Sequence, residues 1–129
     1  MAILNIVGDF SGRDEICKYV KNHVEALAKV QSNTGGFNTV IDDHTSYVEI
    51  SATAGIIAGV KLAVEAGIVD EQYMSIYEKG IEEVKNAVSK EGLVGGVSTG
   101  TPVMPNAEAY RNISLTPTLY GQGLAIIAL

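Results

Sequence analysis

Hydrophobic positions change their period and density along this chain, and each change marks an element. Ile16, Val20, His23, Leu27 and Val30 recur at spacings of four and three, with Lys18, Lys21, Glu25 and Lys29 on the opposite side. That is the pattern of an amphipathic helix lying on a surface. Ser11-Gly12 opens it, and Asp14 and Glu15 suit the positive end of its macrodipole. Gly35-Gly36 reads as its C-cap and exit. A second run, 50–60, carries only Ser51 and Thr53 among small and aliphatic residues. The helix it predicts, roughly 47–66, is apolar nearly all round and so is expected to be buried on nearly all sides. Ser46 and Glu49 have the S-x-x-E spacing of a capping box at its start, and Gly67 stops it.

Asp70 is read as the cap of a third helix, roughly 71–89, with Tyr73, Tyr77, Ile81, Val84 and Val88 on one stripe and Glu78, Lys79, Glu82, Glu83 and Lys85 largely in water. The segment 93–117 holds Gly95, Gly96, Gly100, Pro102, Pro105 and Pro117. It predicts a long loop, with room for a short strand pair. Pro117-Thr118 then opens 119–129, an uncharged run expected to be another buried helix. The first seven residues are apolar and fit either a strand or the tail of a helix.

Peripheral helices therefore alternate with buried ones, which predicts an all-α single domain over 1–129 built as an inner and an outer layer. Both outer-to-inner connections (35–46 and 93–116) are long and polar, and both must emerge at the N-terminal ends of inner helices. Long loops gathered at one end of a rigid scaffold are where binding sites usually lie. Inner helices with apolar faces left open predict a homo-oligomer, most simply a dimer through those helices, with Gly55 and Gly59 at the contact.

Composition narrows the partners. The 129 residues include 9 basic and 15 acidic side chains, a formal net charge of −6. That disfavours nucleic acid and anionic membrane surfaces as partners. No apolar run approaches the ~20 residues of a membrane span. The N-terminal residues lack a basic n-region, so a cytoplasmic protein is expected. Cys17 is the only cysteine and there is no tryptophan.

The candidate chemistry sits in the two loops. Asp42 and Asp43 read first as turn or helix-entry carboxylates, with an acid/base pair as the alternative. His44 is a solvated loop histidine or a substrate contact. Arg111, one of two arginines with Arg13, is a candidate carboxylate clamp. Tyr110, like Tyr47 and Tyr120, is a candidate for stacking on a sugar face. His23 reads as a packing residue and Cys17 as an inert, half-buried thiol. The glycine-rich stretch from Gly95 to Thr101 lacks the lysine of a phosphate loop. No metal-ligand spacing occurs and no cofactor is called for.

The run Val30-Gln31-Ser32, Gly36-Phe37-Asn38-Thr39-Val40-Ile41-Asp42-Asp43 and Ser46-Tyr47-Val48-Glu49-Ile50-Ser51-Ala52-Thr53-Ala54 resembles a late barrel segment of the unsaturated glucuronyl and rhamnogalacturonyl hydrolases, glycoside hydrolase families 88 and 105. Gly67-Ile68-Val69-Asp70, Gly92-Leu93-Val94, Val97-Ser98-Thr99-Gly100-Thr101, Tyr110 and Tyr120-Gly121-Gln122-Gly123 agree in unbroken order. The resemblance implies part of an (α/α)6 barrel, a six-hairpin glycosidase-like toroid. It also implies a reaction: hydration of the double bond in lyase-derived unsaturated uronic acids, with an aspartate as acid and base and no metal. It covers only the C-terminal third or so of such enzymes, and implies that their catalytic aspartate lies upstream of the part matched. Phe37-Asn38 stands where relatives tend to carry a bulkier Leu-Trp-like pair. The expectation is a partial hydrolase, inactive alone, with Asp42, Asp43, His44, Tyr110 and Arg111 near substrate. The alternatives are a non-enzymatic helical binding or assembly module, and half of a split hydrolase completed by a partner chain.

Overall fold

The computed structural model describes residues 8–129; the apolar stretch 1–7 and its strand-or-helix reading lie outside them. The described chain is helical: α1 (Arg13–Val30), α2 (Ile50–Glu65), a 3-10 turn (Glu71–Tyr73) running into α3 (Met74–Asn86), a short α4 (Ala107–Arg111) and α5 (Leu119–Ala128). Among the described residues there is no strand, only isolated antiparallel bridges: Asn38 with Val48, Val88 with Val94, and Ser98 with Leu115. The strand pair allowed for in 93–117 is thus one bridge, and α4 occupies part of that loop.

α2 is the central helix, packed against α3 and against α5. Ala54, Ile57 and Ala63 are fully enclosed, and Val84 of α3 and Ala125 of α5 close on them. Each enclosed aliphatic side chain of Ile or Val size contributes about 1.5–3 kcal/mol. Gly80 makes the α2–α3 approach possible, because a Cβ there would lie 2.5 Å from Ile57 Cγ2. α1 is peripheral, as its pattern predicts, with only Val24 and Leu27 buried. At the end of α2, Gly67 (φ 65°) supplies the left-handed turn, and the Ile68 N–H returns to the Ala63 carbonyl at 2.9 Å.

Several local expectations are corrected. α2 begins at Ile50 rather than 47, because Tyr47 and Val48 are held extended. The Thr39 N–H donates to the Tyr47 carbonyl and the Glu49 N–H to the Phe37 carbonyl, both at 2.9 Å. The N-cap is therefore Glu49, whose carboxylate accepts from the Ala52 N–H, and the Ser46–Glu49 capping box does not form. Asp70 makes no side-chain cap, and a 3-10 turn leads into α3 instead. α1 ends in an extended Gln31, so Gly35-Gly36 is not its C-cap. His23 is exposed rather than packed: it borders the groove between α1 and α2, while its neighbour Val24 is buried. Finally, α5 is not buried all round. Gly121, Ala125 and Ala128 are enclosed, but Leu119 is 95%, Ile126 68%, Ile127 69% and Leu129 60% exposed. One face of α5 meets α2, and the other meets nothing among the described residues.

Candidate functional site

The polar loop between α1 and α2 is held down from both ends. Gly35 (φ 98°) approaches α3 so closely that a Cβ would stand 2.4 Å from the Lys79 carbonyl oxygen. Gln31 Nε2 donates to the Gly35 carbonyl at 2.7 Å and to the Ile76 carbonyl at 2.9 Å, which ties the exit of α1 to α3. Phe37 is enclosed, and its N–H donates to Thr53 Oγ1 of α2 at 2.9 Å. From Asn38 the chain runs out to a turn and returns at Val48.

Asp43 makes that turn. Its Oδ1 accepts from the Thr45 N–H at 2.9 Å and the Thr45 hydroxyl at 2.6 Å, the local bonding that favours Asp in turns. Its Oδ2 accepts from Arg111 Nε at 2.7 Å and lies 2.6 Å from Nη2. The Thr45 hydroxyl and N–H, then the Arg111 guanidinium, lower the Asp43 pKa to about 2. Arg111 also donates from Nη1 to Glu108 at 2.9 Å, and the two carboxylates, Asp43 foremost, raise its pKa.

A second fastening lies beneath. Glu49 is buried, and its carboxylate gathers the Ser51 hydroxyl, the Ala52 N–H and the Ser98 N–H, the last at 2.9 Å. The Ile50 N–H donates to the Gly96 carbonyl at 3.0 Å, and the Tyr120 hydroxyl donates to the Ser98 carbonyl. Both long loops therefore meet over the N-terminal end of α2, at the same end of the helix layer as expected. The positive end of the α2 dipole offsets the buried Glu49 charge.

Of the residues singled out from sequence, the structure brings Asp43 and Arg111 into contact across 68 residues. Tyr110 stands beside them, with its hydroxyl accepting the Met104 N–H at 3.1 Å. Asp42 is exposed and has no side-chain hydrogen bond among the described residues. Asp42 and Asp43 thus do not form a shared acid/base pair. A carboxyl with a pKa near 2 is also poorly matched to proton transfer at neutral pH. His44 lines a polar cleft together with Lys29, Gln31, Ser32, Asn33, Thr34 and Asn38. Arg111 is a fastener first: a bound carboxylate would have to replace Glu108, the more exposed of its partners.

Sequence reasoning missed three contributors: Glu49 as a link between loops, Tyr120 as a tie to Ser98, and Asn38. Asn38 is 7% exposed. Its Nδ2 donates to the Ser46 carbonyl at 2.5 Å, and its Oδ1, like the Tyr47 hydroxyl, is buried with no partner. A signal for Glu49 was present, since it is the only charged residue between Asp43 and Lys61 when His44 is neutral. Among the described residues no group of three or more His, Cys, Asp or Glu side chains gathers as a metal site.

Residues 6–129 match the Glycosyl Hydrolase Family 88. The chain belongs to that family. It is 34% identical over 108 residues to the unsaturated rhamnogalacturonyl hydrolase YesR of Bacillus subtilis (strain 168), a match covering 83% of this chain and 30% of the relative. Among solved structures, it superposes on a possible member of the GH105 family from Klebsiella pneumoniae subsp. pneumoniae MGH 78578 with a TM-score of 0.91 and 33% identity, covering 98% of this chain and 34% of that one. A possible GH105 member from Salmonella enterica subsp. enterica serovar Paratyphi A str. ATCC 9150 gives a TM-score of 0.88 and 34% identity, covering 93% of this chain and 32% of that one. The chain thus spans about a third of the length of these relatives. Its fold is part of an (α/α)6 barrel, with α2 and α5 as inner helices and α1 and α3 as outer ones.

Proposed function

We propose that these residues form wall and rim of a site that hydrates unsaturated uronyl oligosaccharides, as a C-terminal portion of the hydrolase barrel. The observation that carries the reading is the pair of loops fastened together over the N-terminal end of α2 by Asp43–Arg111 and Glu49–Ser98. Hydration adds a proton to one carbon of the ring double bond and the hydroxyl of a water to the other, the water's remaining proton returning to the group that gave the first, so it needs an acid within hydrogen-bond reach of the alkene. Asp43 is held ionised and Asp42 is solvated, so neither is equipped for that task. The catalytic aspartate comes from outside these 129 residues, and Asp42, Asp43, His44, Tyr110 and Arg111 shape the rim.

A chimera tests this reading. The segment of the Bacillus subtilis relative that matches this chain is replaced by the chain's own residues, and loss of the alkene's ultraviolet absorbance is followed on an unsaturated rhamnogalacturonyl substrate. Retained turnover is the expected result. A folded chimera with no turnover would overturn it.

The open face of α5 favours one addition. In the 129-residue polypeptide, Leu119, Ile126, Ile127 and Leu129 stand in water, and a second copy covers them in an isologous dimer.

A further inference from the structure

We infer that residues 100–113 form a lid over the N-terminal end of α2, hinged at the Ser98–Leu115 bridge and latched shut by the Asp43–Arg111 contact. The base of the lid is firmly set. The Thr99 N–H donates to the Ser114 carbonyl at 2.9 Å and the Thr116 N–H to the Val97 carbonyl at 2.8 Å, on either side of the bridge. Val97 is enclosed, and Ser98 is tied to Glu49 and to Tyr120. The 14 residues of the lid thus leave and rejoin the scaffold at one place, as compact surface loops of about 6–16 residues do.

The lid carries its own structure. Asn106 Oδ1 caps α4 by accepting the Ala109 N–H at 3.0 Å, the Tyr110 hydroxyl accepts the Met104 N–H at 3.1 Å, and Asn112 Nδ2 donates to the Glu108 carbonyl at 2.9 Å. Its hold on the rest of the molecule is slight. No residue from 99 to 117 is buried, none packs against the hydrophobic core, and Val103 is 96% exposed. Among the described residues the hydrogen bonds of 100–113 are internal, with two exceptions. One is at the base, where the Thr101 and Ser98 hydroxyls lie 3.1 Å apart. The other is Arg111 to Asp43. A segment with few buried contacts opens at low cost while the core stays folded. One that is braced within itself moves as a body about its ends, and Gly100 (φ 142°) stands at one of them.

The latch suits reversible closure. Thr45 holds the Asp43 carboxylate through its own N–H and hydroxyl, so the receiving half stays formed when Arg111 leaves. The Arg111 side chain is 35% exposed. Ion pairs in contact with water hold weakly and are screened by salt, which lets a closure reopen. The lid stands on these contacts alone. That it covers a substrate at the rim rests on the hydrolase reading.

Pulsed electron paramagnetic resonance on the full 129-residue chain tests the device, with nitroxides at Glu25→Cys on α1 and Val103→Cys on the lid in a Cys17→Ser background. Both labelled positions are exposed. At low salt the distance distribution is expected to be narrow. Arg111→Ala should broaden it and shift its mean, and so should about 1 M sodium chloride, where charges are screened beyond ~3 Å. Arg111→Lys should fall between, because lysine keeps the charge and loses the planar fork. Lys85→Ala, which breaks an ion pair within α3, should change nothing. Because the lid is separate from the core, Arg111→Ala should melt within about 4 °C of the parent. A narrow distribution in Arg111→Ala or in high salt, a broad one in the parent at low salt, or a larger fall in melting temperature would each overturn the lid. Unlatching alongside an inactive chimera would keep the lid and discard the hydrolase reading. An active chimera whose lid stays put in Arg111→Ala would do the reverse.

Discussion

One carboxylate, that of Glu49, joins the start of α2 to the second long loop. Removing it strips a helix of its cap, about 0.5–2 kcal/mol, and orphans the buried Ser98 N–H, about 1–3 kcal/mol. Glu49→Ala should therefore lower stability by about 3 kcal/mol in urea unfolding, and a loss under 1 kcal/mol would contradict that role. Asp43 makes a prediction about pH. Its pKa falls from 3.8 to about 2 on folding, so its contribution is fully present above pH ~4 and is lost as pH falls through about 2. Carboxyl NMR should give Asp43 a midpoint near 2, and Arg111→Ala should raise it only in part, because the Thr45 bonds remain. A midpoint near 4 in the native protein would show the contact is not kept in solution. Both partners could be picked from sequence as polar residues in loops. Their pairing could not, because nothing local links residues 68 positions apart. Asn38 escaped for a similar reason: what sets it apart is burial, which its neighbours in sequence do not reveal.

At the scale of elements, the order and kind of the long helices followed from periodicity, since an apolar stripe repeats over many residues and is hard to mistake. Helix starts were harder. The beginning of α2 was misplaced because Tyr47 and Val48 pair with the chain around Asn38, and that partner lies ten residues back. The role of α5 was only half visible. Its composition is that of a buried helix, and composition cannot say whether the covering surface belongs to the same chain. Glycines give the sharpest test of packing. Gly35→Ala meets both a left-handed backbone and the Lys79 carbonyl, and should cost about 2–4 kcal/mol. Gly123 lies within α5 with open space beside it. Gly123→Ala should be neutral or stabilise by up to ~1 kcal/mol. Thermal melts of the pair check this, and equal effects would contradict the packing described.

The whole molecule carries two consequences. The exposed face of α5 is too apolar to leave in water: covering ~1,000 Å² of such surface yields on the order of 25 kcal/mol before the costs of association. Sedimentation equilibrium at micromolar concentration should show a dimer, and Ile126→Lys with Ile127→Lys should return it to monomer. A wild-type monomer that binds no hydrophobic dye would rule the dimer out. The other consequence is the division of labour proposed for the barrel, in which these residues hold the rim and the proton-transfer group comes from elsewhere. General acid/base catalysis is worth about 10²–10⁴-fold, so its absence is easily seen. The direct measurement is the ultraviolet absorbance of an unsaturated uronyl disaccharide incubated with the folded 129-residue polypeptide. The trace should stay flat, whereas robust turnover that vanished in Asp42→Asn or Asp43→Asn would show that the catalytic site is here after all.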